Sequence, residues 1–167
     1  MPTVDAALYR DTFALLAELA LGLAGFGGVA AAFGGRDRQF SRGERTRLLA
    51  LYVHSTLALV GALLTMALLW FEMALATACF WASLAGLVGQ VPAAVHFTRR
   101  AWRFLQDAEM STGPWAFLLT AMPTWMAATM FAAGLIGGGS MAFLFAGLSC
   151  QIGMGLFVFI RVLTLRN

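Results

Sequence analysis

Apolar and polar positions follow one another along this chain in long blocks. Residues 12–33, 48–71, 74–98, 115–136 and 140–163 form five apolar runs, and the stretches between them hold most of the charge. Each run is close to the ~20 residues that a helix rising ~1.5 Å per residue needs to cross ~30 Å of hydrocarbon. The pattern predicts an all-α integral membrane bundle of five transmembrane helices, with residues 1–167 forming a single membrane domain.

The breaks between runs carry their own signals. After the first run comes GGRDRQFSRGERTR, where Gly34 and Gly35 suit a helix end and Ser41 with Glu44 fits a capping box for the next helix. Only Phe71, Glu72 and Met73 separate the second and third runs, which predicts a tight antiparallel hairpin. The third run leads into HFTRRAWRFLQDAE, expected to continue as helix past the interface. STGP at 111–114 restarts the chain with Pro114 in a first turn, and GGGS at 137–140 makes the last, uncharged turn.

Composition narrows the class. The chain is 60% hydrophobic and 11% charged, against about 45–50% and 25% in soluble domains, which excludes an ordinary water-soluble fold. All 11 basic residues are arginine, so the pI near 9.5 reflects where arginines stand and not a nucleic-acid patch. Arg36, Arg38, Arg42, Arg45 and Arg47 follow the first run, Arg99, Arg100 and Arg103 the third, and Arg161 and Arg166 the last. Ten of the 11 therefore fall on one face of a five-span chain. Positive charge marks the cytoplasmic side, so the N-terminus is expected outside and the C-terminus inside. The opening residues MPTVDAALYRD hold two aspartates against one arginine, unlike the basic start of a signal peptide, so the first span is expected to remain in the mature protein. Cys79 and Cys150 lie inside apolar runs and read as small packing residues.

Small residues supply the packing signal. In a bilayer, helices associate through close backbone approach and interhelical hydrogen bonds. Gly22, Gly25 and Gly28 in the first span and Gly86 in the third stand out as packing glycines, within wider stripes of alanine and glycine. Pro92 and Pro123 are expected to kink their helices.

Among the polar residues inside spans, Glu18, His54, Gln90 and Gln151 are candidates for a pathway or for buried hydrogen bonds. Rise per residue puts His54 and Gln90 at a common depth, about 6–9 Å to the cytoplasmic side of the midplane, so a hydrogen bond between them is one arrangement. The plain alternative makes them and Gln151 interhelical clamps worth about 0.6 kcal/mol each. Glu18 is the most costly, since a charged carboxylate in hydrocarbon must be paired, wetted or protonated. It is either a structural acid near the outer interface or a group on a pathway, with Gly22 and Gly25 on its own helical face. His54 and His96 are the minimum for a bis-imidazole haem, although their depths differ by about 6 Å. No zinc-protease, nucleotide-loop or nucleophile-triad pattern is present in the sequence. An enzyme is not expected, nor a cofactor, a metal site or a nucleic-acid partner.

The segment Ala24 to Arg36, AGFGGVAAAFGGR, resembles the AGFxGVxxxxGGR-like first span of a group of uncharacterised bacterial multi-pass membrane proteins. The resemblance covers the first third of the chain and implies a bacterial inner-membrane protein, without implying an activity. Three readings follow. The first is a small homo-oligomeric channel or transport protein with Glu18 facing a shared pathway. The second is a non-catalytic accessory subunit of a larger membrane complex, and the third is an electron carrier binding b-haem through His54 and His96.

Overall fold

The structure is a computed structural model that describes residues 6–34, 42–106 and 121–164. Among the described residues it is all helical, with α1 Ala6–Gly34, α2 Arg42–Trp70, α3 Leu75–Gln106, α4 Met122–Ile136 and α5 Met141–Thr164. Four of these (α1, α2, α3 and α5) are long and apolar enough to cross a membrane. Of the fourth expected span, 115–136, α4 covers 15 residues, about 22 Å of helix, and residues 115–120 lie outside the described residues. So do Arg36, Arg38, Arg166, the cap at Ser41 and the STGP segment.

Helix extends beyond the apolar runs, after the third as expected and also before the first. Helix α1 takes in Tyr9–Asp11 ahead of the apolar run, because charged and polar residues cost little at a wet helix end. Helix α3 has 32 residues, about 48 Å, and continues well past the length a bilayer core requires. Pro92 sits inside α3 without ending it. Pro123 stands at the described start of α4; the residues before 121, on which a kink there depends, lie outside the described residues.

The chain divides into two compact units: Met1–Glu72 with Gln151–Asn167, and Met73–Cys150. Helix α5 contributes to both.

In the first unit α1 and α2 pack antiparallel. At one end the Arg10 guanidinium donates to the Leu69 carbonyl at 3.1 Å. At the other, Gly27 and Gly28 face Leu51 and Tyr52 so closely that an added Cβ would stand 2.7 Å from Leu51 Cδ2 and 3.1 Å from the Tyr52 hydroxyl. The later half of α5 joins them: a Cβ on Gly155 would meet Leu23 and Ser55 at 3.3 Å, and the Phe26 and Phe159 rings lie 6.0 Å apart. Helix α2 ends at a left-handed residue, Glu72 with φ 57°, whose N–H donates to the Leu69 carbonyl.

In the second unit α3 and α4 pack antiparallel. Phe131 of α4 is fully buried, and its ring fills the space left by two glycines, with Cβ positions 3.0 Å away at Gly86 and 2.7 Å away at Gly147. The turn from α4 to α5 closes as a Schellman motif: Gly138 N–H donates to Leu135 O and Gly139 N–H to Gly134 O. Gly138 and Gly139 have φ of 68° and 91°.

Candidate functional site

Helix α1 buries Phe13, Leu16, Ala17 and Ala20 and leaves another side open. Leu8, Asp11, Leu15, Glu18, Gly22, Gly25, Val29 and Ala32 are all exposed, spaced alternately by three and four residues. That 3.5-residue repeat is the spacing of a left-handed helix–helix seam. Only 28% of the membrane-length window of α1 is buried, against 50% for α2, so α1 is the span with the most unoccupied surface of the two. The glycines of α1 fall into two kinds. Gly27 and Gly28 are used inside the unit, while Gly22 and Gly25 have nothing within 4 Å of their Cβ positions among the described residues. Glu18 shares the open face with that second pair. A carboxylate and two glycines on a surface otherwise suited to lipid are poor lipid contacts, because small residues favour close helix contact and a carboxylate needs water or a donor.

The remaining polar residues of the spans lie inside. His54 and Gln151 are fully buried in the first unit and Gln90 in the second. The Gln90 side-chain amide donates to the Thr124 carbonyl at 3.0 Å, tying α3 to the first turn of α4. Gln90 is thus a helix clamp within its own unit. His54 and His96 fall in different units, the first buried and the second exposed on α3. Gly86 faces the Phe131 ring and Gly28 the Tyr52 hydroxyl. Arg42, Arg45 and Arg47 stand in the first two turns of α2, and Arg99, Arg100 and Arg103 near the end of α3. Cys79 is buried and Cys150 half-buried; the Cys150 thiol lies 3.8 Å from the Pro123 carbonyl.

Sequence reasoning passed over three features. Arg10, the arginine outside the charge pattern, donates to the last turn of α2 and lies with its guanidinium carbon 5.6 Å from the Trp70 ring centre. A helix C-terminus attracts a cation, which was the signal available. The hydroxyls of Ser55 and Ser83 are buried without a hydrogen-bond partner among the described residues; a lone serine in an apolar run gives no cue to its neighbours. The Trp125 indole N–H donates to the Thr98 hydroxyl at 3.0 Å, fixing an aromatic beside the arginines of α3.

Apolar helices of membrane-crossing length and a core of small and aromatic side chains define a helical membrane protein. No family model, no curated protein and no solved structure matches the chain.

Proposed function

We propose that this chain is a small homo-oligomeric channel or transport protein in which α1 of each copy faces a shared axis and Glu18 forms an acidic ring attractive to cations. The observation that carries this reading is the open face of α1, where Glu18, Gly22 and Gly25 stand together with open space at both glycines. Contact with further copies would bury that face in the way membrane helices prefer, through small residues at 3.5-residue spacing. It would also place the carboxylates beside water at the axis instead of lipid. The reading is non-enzymatic and needs no cofactor. Its partners are the bilayer and further copies of the chain, and the membrane it assigns is the bacterial inner membrane.

Mass in mild detergent and ion flux in liposomes test it together. The native protein is expected to be an oligomer that passes cations. Glu18→Gln should fold and assemble normally yet lose cation preference. Gly22→Leu should leave each chain helical and break the oligomer, since its side chain enters space that only a neighbouring copy would fill. A stable monomer with no flux at any pH or voltage overturns the proposal and favours an accessory subunit, in which α1 packs against an unrelated chain.

A further inference from the structure

The C-terminal part of α3 carries a feature that packing does not use. At 100° per residue, His96, Arg99, Arg100 and Arg103 fall within an arc of about 100°. His96, Arg99 and Arg103 are exposed and Arg100 is half-buried. The opposite side of the same turns is the packed one, with Ala94, Phe97 and Ala101 buried. Among the described residues the second unit holds no acid to pair with them. Asp107 and Glu109 follow in sequence and lie outside the described residues.

The depth of this face is set by aromatic side chains. Trp81 and Trp102 are both exposed on α3, and their separation of 21 residues corresponds to about 31 Å of helix, the thickness of a hydrocarbon core. Tryptophan prefers the two membrane interfaces. Trp125, also exposed, is bonded to Thr98, about one helical turn before Trp102, and adds an aromatic from α4 beside the arginines. The guanidiniums of Arg99 and Arg103 thus lie where lipid headgroups begin.

We infer that this face of α3 binds the phosphate of an anionic phospholipid in the leaflet that its C-terminal end enters. Planar guanidiniums match phosphate oxygens with paired N–H donors, while Trp102 gives the adjoining acyl-glycerol region an amphipathic surface. Charge complementarity selects the occupant: a zwitterionic lipid offers the same phosphate but brings its own cation. This inference stands apart from the channel proposal, since it holds for one copy or several.

The test is native mass spectrometry of the whole protein in mild detergent, titrated with phosphatidylglycerol and phosphatidylcholine. Retention of phosphatidylglycerol over phosphatidylcholine is expected. The preference should fall about fivefold for each guanidinium removed in Arg99→Gln and Arg103→Gln. Arg45→Gln with Arg47→Gln removes the same charge from α2 and serves as the control; it should leave the preference largely intact. Equal losses in the two double variants would mean diffuse attraction and overturn the site. Displacement of the lipid by millimolar inorganic phosphate would also overturn it, assigning the face to a free anion. No preference in the native protein would overturn it too, leaving the face for an acidic protein partner. Circular dichroism of each variant checks that helicity is retained, which the exposure of these side chains leads one to expect.

Discussion

Single residues in this protein act through the space they leave or fill. Gly147 and Gly153 are both glycines of α5, six positions apart in sequence, yet their surroundings differ. A Cβ at Gly147 would stand 2.7 Å from the Phe131 ring, whereas one at Gly153 would meet nothing within 4 Å. Gly147→Ala should therefore lower stability by about 1–3 kcal/mol through overpacking. Gly153→Ala should raise it by about 0.5–1 kcal/mol, because alanine loses less conformational freedom in a helix. Thermal unfolding in detergent, followed by circular dichroism, reads both; a shift of the same sign in the two variants would contradict this account of the α5 contact. Arg10 illustrates a different residue-scale effect. Its guanidinium is bonded to the Leu69 carbonyl and lies over Trp70, so Arg10→Ala should cost about 1.5–3 kcal/mol, the range of a hydrogen bond to a charged group. Arg10→Lys keeps the charge near the α2 terminus and should recover part of that loss in the same unfolding measurement. Recovery of nothing would show that the planar group, and not its charge, holds the ends together.

At the scale of elements, helix ends decide more than helix interiors. Gly138 and Gly139 both take positive φ in the Schellman turn, but only one is confined. Gly138 has open space at its Cβ position, so Gly138→Ala should cost about 1–2 kcal/mol, the penalty for a left-handed L-residue. At Gly139 a Cβ would run into the backbone carbonyl of Ala76, at the start of α3. Backbone cannot step aside as a side chain can, so Gly139→Ala should destabilise the second unit much more than Gly138→Ala; equal unfolding temperatures for the two would refute the close approach. The GGGS motif announced a turn in the sequence, because glycine is the residue that tolerates these angles. Which glycine also touches α3 was not legible, since it depends on a pairing some sixty residues distant. The same division runs through the rest of the fold. Apolar blocks marked out the helices, because burying twenty residues in hydrocarbon needs an unbroken run. The blocks did not show that α1 takes in Tyr9–Asp11, since helix extends through charged residues wherever water can reach them. Glu18 was legible as the costly acid of the first span. That it shares an open face with Gly22 and Gly25, while Gly27 and Gly28 are occupied, required the packing of α2 against α1.

At the scale of the whole molecule the remaining question is which end of each unit faces the cytoplasm. Within the first unit, the Arg10–Leu69 bond places the start of α1 beside the end of α2, and the Phe26–Phe159 contact places the later parts of α1 and α5 at one level. The end carrying Arg45 and Arg47 thus also receives Arg161. Within the second unit, Trp125 meets Thr98 while Gly139 meets Ala76, so Arg99, Arg100 and Arg103 stand at the end away from the glycine turn. Among the described residues, each unit therefore gathers its span-flanking arginines at one end. The exception, Arg10, stands at the opposite end of its unit, where the terminal carbonyls of α2 and the Trp70 ring offer a cation a local partner. Because cytoplasmic segments retain arginine, reporters fused after Arg47, Asp107 or Asn167 should read cytoplasmic, and reporters at Met73 or Gly138 should read periplasmic. Paired alkaline phosphatase and fluorescent-protein fusions distinguish the two sides, the first active only outside and the second only within. Gly138 is the decisive site, because it lies in the turn between α4 and α5. A cytoplasmic reading there, with Asp107 also cytoplasmic, would mean that α4 enters and returns without crossing, and a four-span chain would replace the five-span one.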